Sequence, residues 1–340
     1  VKDKEKYFQC VAISRTSNPL GPYARYAFRY DAFNDYPKFG VWPDGYYVSY
    51  NMFQSATGPF LRSTTCALER DKMLLGEAAR MMCVDVPQGG LLPADLDGAT
   101  PPPAGTPNYV LNFQPDTLNL WRFSVNWAVP GKSAFSGPER IRVNSFDPAC
   151  DGGECIQQPG QGVLLDTLAD RLMFRAAYRN FGTHRSLVVN HSVKVNLGKG
   201  ASTSGIRWYE LRNLEGTPAV HQQSTYSPDD TARWMGGIAM DKMGNMLMGY
   251  SASSSKVHPS IRITGRSVDD PPNTMAAEMT VTGGGGSQTV SRWGDYTSLT
   301  LDPVDDCTFW FTTQYVRSDG GFVWRTQFSK VRFTSCTTQP

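Results

Sequence analysis

Residues 292–315 read RWGDYTSLTLDPVDDCTFWFTTQY. Leu299 and Leu301 alternate with polar neighbours, residues 302–306 supply turn formers, and residues 308–315 are aromatic and threonine-rich, as strands prefer. The stretch therefore reads strand, acidic turn, strand. The same order returns at 233–250, RWMGGIAMDKMGNMLMGY, and more loosely at 35–50, DYPKFGVWPDGYYVSY, where Asp44-Gly45 carries a hairpin signature.

Outward from these stretches the chain continues in the same manner. Residues 91–98, LLPADLDG, open a unit whose turn is expanded into the proline-rich loop 99–107, and residues 166–178 open another. The positions Asp35, Asp95, Asp170, Trp234 and Trp293 lie 60, 75, 64 and 59 residues apart, which suits four-stranded repeats with long loops. Radial repetition limits exposed strand edges. The expected fold is all-β: a single β-propeller domain over 1–340, about seven blades in the full-length protein with about five in this chain. A five-bladed ring, with residues 7–14 pairing to the C-terminal strands, is the alternative. Strands are also expected over 7–16, 23–30, 109–113, 118–125, 186–193 and 205–212. Residues 259–265 should form the outer strand of their unit, and 322–333 a final strand pair. One helix is expected, over 68–82. The tetraglycine 283–286 reads as a flexible loop, and 136–162 is polar and rich in Gly and Pro.

A net charge of +2 gives no electrostatic footprint for nucleic acid or anionic lipid. No apolar run is long enough to span a membrane. The start, Val1-Lys-Asp-Lys-Glu-Lys, reads as the interior of a longer chain or a mature fragment. Seven cysteines suggest three local bridges, Cys66–Cys83, Cys150–Cys155 and Cys307–Cys336, and hence an oxidising, extracytoplasmic setting, secreted or at the cell surface. Metal binding competes for these residues, but neither C-x-x-C nor a Cys near a His occurs. Cys10 is left over and calls for a partner elsewhere.

Chemistry is harder to read. Sialidase-type catalysis needs arginines for a carboxylate, an activated Tyr nucleophile and an acid. Arg171, Arg175, Arg207, Arg233 and Arg292, with Tyr36, Tyr178 and Tyr296, sit near inner-strand positions, although S-x-D-x-G-x-T-W is absent. The arginines serve equally as blade-to-blade hydrogen-bonding groups. A glycosidase needs paired carboxylates. Asp35, Asp95, Asp170 and Asp295 fall at equivalent unit starts, where capping a turn or holding the neighbouring blade is the competing role. Asp35, Asp295, Arg233, Arg292, Tyr296 and His191 are therefore the catalytic candidates, and Asp95, Asp170, Arg171 and Arg175 the binding candidates. His184, His191, His221 and His258 are too scattered for a metal site, and His191 lies in an apolar strand. Ca2+ at 302–306 or at Asp95 and Asp97 would lack EF-hand spacing. No P-loop, G-x-S-x-G or G-x-G-x-x-G is present.

The segments NDYPKFGVWPDGYY (34–47), LLPADLDG (91–98), LADRLMFRAAYRNFG (168–182), SLVVNHSV (186–193), GIRWYELR (205–212), RWMGGIAMD (233–241) and RWGDYTSLTLDPVDDCTFW (292–310) resemble a family of secreted bacterial β-propeller proteins, mostly hypothetical or sialidase-like by fold. The resemblance covers nearly the whole chain but implies no catalytic motif. It implies further strands upstream of residues 7–14, including a cysteine for Cys10, and so another polypeptide segment or chain completing the propeller there. The functional expectation is a binding or assembly module for carbohydrate or protein. The alternative is a glycoside hydrolase or lyase with an acidic central channel.

Overall fold

The computed structural model describes residues 2–3, 6–160 and 162–337. The chain is all-β. It divides into two compact units, one of Val1–Leu96, Pro102–Asn112 and Asn119–Arg140, the other of Asp97–Pro101, Phe113–Leu118 and Ile141–Pro340.

The chain opens with a three-stranded sheet of β1 (Lys2–Asp3), β2 (Lys6–Ser14) and β3 (Tyr23–Tyr30). An antiparallel sheet of β4 (Phe33–Trp42), β5 (Gly45–Phe53), β6 (Phe60–Leu68) and β7 (Met81–Val86) follows, its strands neighbouring in chain order. In the first unit, Tyr7, Phe28, Tyr30, Val48, Tyr50, Met52, Cys66 and Leu68 form a buried cluster. Cys66 and Cys83 face each other across β6 and β7 and are bridged, with Cα atoms 4.0 Å apart.

That pairing corrects the helix expected over 68–82. Only α1, Arg70–Leu75, is helical; Leu68 ends β6 and Met81 begins β7. A fifteen-residue helix would separate its ends by roughly 22 Å, which the Cys66–Cys83 register forbids. Gly76 stops α1 in the left-handed conformation at φ 72°, and the Glu69–Arg80 ion pair closes the loop.

Next come β8 (Leu92–Asp97), β9 (Asn108–Gln114), β10 (Thr117–Ser124) and β11 (Ala134–Arg142), in the order β11-β10-β9-β8. The short ribbon β12 (Glu154–Ile156) and β13 (Leu165–Asp166) holds the Cys150–Cys155 loop. The second unit then contains the run β14 (Met173–Asn180), β15 (Arg185–Gly198), β16 (Ala201–Arg212) and β17 (Ala219–Tyr226). It also contains the sheet β18 (Ala232–Met240), β19 (Met246–Ser253), β20 (Ser260–Arg266) and β21 (Met279–Thr282). Residues 260–266 are thus the third strand of their sheet, not the outer one. The last sheet is β22 (Ser298–Leu301), β23 (Thr308–Val316) and β24 (Trp324–Arg332). Residues 322–333 supply one strand, not a pair. Cys307 is bridged to Cys336 beyond β24.

The organising stretch folds as read: β22, an acidic turn with Asp306 at φ 54°, then β23. Two of the marker positions, Asp35 and Trp234, lie at bulges near the start of their strands, Asp35/Lys38 in β4 and Trp234/Gly237 in β18. The second unit's core gathers Trp208, Ile238, Met248, Tyr250, Ile263, Leu299, Phe309 and Phe311. Gly249 makes that packing feasible, because a Cβ there would lie 2.6 Å from the Phe311 ring. The tetraglycine is packed, contrary to its composition. Gly285 donates to the Val316 carbonyl at 2.8 Å, and a Cβ on it would meet the Arg317 carbonyl at 2.7 Å. Its glycines serve close backbone approach.

Candidate functional site

Most of the polar residues singled out in the sequence hold the fold. Arg175 is buried on β14, donates Nε to the Leu299 carbonyl of β22 at 3.0 Å, and pairs with Asp97. One turn of the pleat further on, Arg179 donates Nε to the Met240 carbonyl of β18 at 3.1 Å and Nη1 to Asp306 at 2.7 Å. These two side chains tie β14 to β22 and β18, the first strands of two other sheets. Arg233 is fully buried and clamps Asp229, Glu278 and the Thr231 carbonyl. Its hydrogen bond holds the Asp229 carboxyl down at about 2. Arg207 bonds Thr225 and the Asn144 carbonyl.

His191 is fully buried between Phe113, Phe146 and Tyr209, stacked on the Tyr209 ring, with Nε2 2.9 Å from the Tyr209 hydroxyl. Burial, then the charge of Arg207, pushes its pKa down to about 3. A neutral imidazole locked in an aromatic cage is core, and it has no route to solvent for proton transfer. Tyr178 is buried too, and Tyr36 lies beneath the Lys38 ammonium, 3.7 Å from the ring centroid. Asp95 of β8 accepts the Val41 amide of β4 at 2.8 Å, so it holds a neighbouring sheet and does not cap a turn of its own. Asp35 is exposed on the β4 bulge, and Asp170 pairs with adjacent Arg171 on an exposed loop.

The acidic stretch considered for Ca2+ is spent on protein donors. Asp305 accepts the Cys307 and Thr308 amides and the Thr308 hydroxyl, and these bonds lower its pKa to about 2. Asp302 accepts the Val304 amide and the Trp310 indole, and Asp306 holds Arg179. Among the described residues no group of three or more His, Cys, Asp or Glu side chains gathers as metal ligands would.

Three of the catalytic candidates do come together. Trp293 is buried and donates its indole N–H to Ser251 at 3.0 Å, so it anchors the approach to β22. Gly294, at φ 64°, reverses the chain, and Thr297 ties back to the Gly294 carbonyl and the Thr313 hydroxyl. The turn delivers Tyr296 to the surface. Beside it, the exposed Arg292 pairs with Asp295 and reaches Asp166 on β13 at 3.5 Å. Arg292, Asp295 and Tyr296 line a groove of about 460 Å³ with Thr312, Gln314, Phe322, Trp324 and Thr326.

The groove floor continues across one sheet face. The register pairs Trp310 with Lys330, Thr312 with Phe328, Gln314 with Thr326, and Ser298 with Thr312. Paired residues share a face, so Ser298, Trp310, Thr312, Gln314, Thr326 and Phe328 stand on one side. Leu299, Phe309, Phe311 and Tyr315 fill the core from the other. Trp310, Tyr296, Phe322, Trp324 and Phe328 are between 38% and 68% exposed, far from the burial usual for such rings. Aromatic faces separated by hydroxyl and amide groups can stack on the C–H face of a ring and bond its substituents. Sequence reasoning missed Trp310, Trp324 and Phe328. The available signal was apolar residues on both alternations of 308–316, which a one-sided strand does not need.

No protein-family model matches the chain, and no curated protein does. Among solved structures, the chain is similar to a xylan β-1,4-xylosidase from Bacillus halodurans C-125, with 13% identity over 89% of this chain and 53% of that one and a TM-score of 0.39. It is also similar to an α-L-arabinofuranosidase from Lactobacillus brevis, with 11% identity over 90% and 92% of the two chains and a TM-score of 0.36. The chain spans about half the length of the xylosidase.

Proposed function

We propose that the chain is an extracytoplasmic, propeller-type binding module that holds carbohydrate on the open face of β22–β24. What carries this is the register of β23 and β24, which sets Trp310, Phe328 and Trp324 among Thr312, Gln314 and Thr326 on a solvent-facing sheet. Exposed aromatics at such density mark interaction surfaces. Arg292 and Asp295 at the groove wall supply charged hydrogen-bonding groups. Three disulfides suit an oxidising compartment. No helix among the described residues is long and apolar enough to cross a membrane.

The test is calorimetric titration of purified protein with a panel of soluble oligosaccharides. Trp324→Ala should weaken binding about tenfold, equivalent to about 1.4 kcal/mol, with the thermal midpoint unchanged. An unaltered affinity in Trp324→Ala and Phe328→Ala would remove the site from this face. Turnover of a glycoside, lost in Asp295→Asn, would instead favour the hydrolase alternative.

A second reading has its own observation. Among the described residues β24 pairs only with β23, so this sheet has three strands where β4–β7 and β18–β21 have four. An open edge of this kind accepts an added strand. A strand from a partner chain would then dock along β24.

A further inference from the structure

At one end of the second unit lies a cavity of about 260 Å³, lined by His184 from the β14–β15 turn, Glu210 and Arg212 from β16, His221 from β17, Arg266 from β20, and Asp270 beyond it. Its hydrogen-bonding capacity is lopsided. The acceptors are engaged: Glu210 receives Ser186, Arg212 and Gln222, each at 2.6 Å, while the Asp270 carboxylate receives the Ser267 amide on one oxygen and the Asp270 carbonyl receives Arg266. The donors are not. Arg266 is 5% exposed, and its Nε has no partner among the described residues. Arg212 bonds Glu210 through Nε alone. His184 uses Nδ1 on Thr183, 3.1 Å away, with its ring stacked on Phe181.

We propose that this cavity binds a small oxyanion, either a free tetrahedral anion or the carboxylate of a sugar acid, through Arg266, Arg212, His184 and His221. Surplus donors around engaged acceptors call for a ligand that only accepts, and guanidinium groups suit oxyanions. A buried guanidinium N–H without an acceptor is a cost that such a ligand removes. The site lies apart from the β22–β24 face and does not depend on the carbohydrate reading.

Charge adds a pH signature. The charged groups lining the cavity are Arg212, Arg266, Glu210 and Asp270, which cancel, so an incoming anion must be balanced by protonating His184 and His221. Both histidines are shifted below their ordinary pKa, chiefly by burial. An anion opposes that shift, and binding therefore takes up protons and strengthens as pH falls.

Sulfate and glucuronate are suitable probes, because neither titrates near neutrality. In isothermal titration of the intact protein, at least one should bind about tenfold more tightly at about pH 5.5 than at about pH 7.5, with net proton uptake in buffers of different ionisation heat. Preference for sulfate identifies a free anion, and preference for glucuronate a sugar acid. His221→Asn should flatten the pH dependence, and Arg266→Met should abolish binding. If Arg266→Met does not fold, sulfate protection of the wild-type thermal midpoint, absent in Arg212→Gln, serves in its place. Absence of binding by both probes at both pH values, or binding unchanged by His221→Asn and Arg212→Gln, overturns the proposal.

Discussion

The dipeptide Arg-Trp occurs at 207–208, 233–234 and 292–293, and the last two of its arginines have opposite fates. The Arg233 side chain is 0% exposed and that of Arg292 59%. Each has a carboxylate close by in sequence, Asp229 for Arg233 and Asp295 for Arg292, so a local partner does not separate them. What buries Arg233 is Glu278, 45 residues away, whose carboxylate also takes Arg262 and Tyr250. Residue roles that depend on such distant partners were not legible, and His191, a catalytic candidate although its strand is apolar, is buried in the core. Its burial gives a prediction. With the folded pKa lowered to about 3 from 6.5, the unfolded chain binds a proton that the folded chain refuses. The stability linked to His191 is therefore whole above pH 6.5 and is lost as pH falls from there toward 3. His191→Phe should show a shallower decline over that window in urea unfolding. It should be less stable at neutral pH by about 1–3 kcal/mol, because the Tyr209 hydroxyl loses its partner. Asp229 and Asp305, lowered from 3.8 to about 2, act in a separate window below pH 3.8. An unchanged slope above pH 4 in the variant would exonerate His191.

At the scale of elements, the strands were legible wherever alternation or a turn signal bounded them, and the single helix was not. Residues 68–82 have helical composition, but the bridge between Cys66 and Cys83 demands a return within the segment. The two sequence expectations were incompatible, and the covalent constraint prevailed. The bridges also differ in what they close. Cys66–Cys83 spans 17 residues and sits in register between two strands, whereas Cys150–Cys155 spans 5 in a loop. In the chain-entropy model a loop of about 15 residues is worth about 3 kcal/mol, and a shorter one less. The double variant Cys66→Ala/Cys83→Ala should lower unfolding free energy by about 3 kcal/mol, and Cys150→Ala/Cys155→Ala by clearly less. Equal losses would mean that strain or local packing, not loop closure, sets the contribution. Packing sets a further limit in β19: Gly249→Ala forces a methyl against Phe311. It should cost about 1–3 kcal/mol, read as a lower denaturation midpoint.

At the scale of the molecule, periodic marker positions announced a chain of similar antiparallel runs, because several runs share a bulged first strand, as in β4, β14 and β18, or an acidic turn, as after β18 and β22. Periodicity could not announce where a run falls short. The final sheet stops at β24 with its outer edge unpaired among the described residues, and Phe328 and Trp324 stand exposed on that strand. Unprotected edges are usually blunted by charge, proline or a bulge. β24 has Arg325, Lys330 and Arg332 but no proline, and its register with β23 is unbroken over nine pairs. Two charge-free positions, Thr326 and Gln327, separate the arginine from Phe328. Such an edge pairs with whatever strand reaches it. In the absence of carbohydrate or a partner chain, the purified protein should associate with itself at concentrations of about 100 μM, a weak contact worth about 5 kcal/mol, seen as a rising sedimentation coefficient. Phe328→Lys should hold it monomeric, through charge on the edge strand. Cys10, the one unbridged cysteine and an exposed one, should turn other encounters covalent under oxidising conditions, and Cys10→Ser should remove that species from non-reducing gels. The two variants separate the two routes. If wild type stays monomeric at that concentration and Phe328→Lys sediments identically, the β24 edge is not sticky, and the strand-addition reading loses its footing while the carbohydrate face stands.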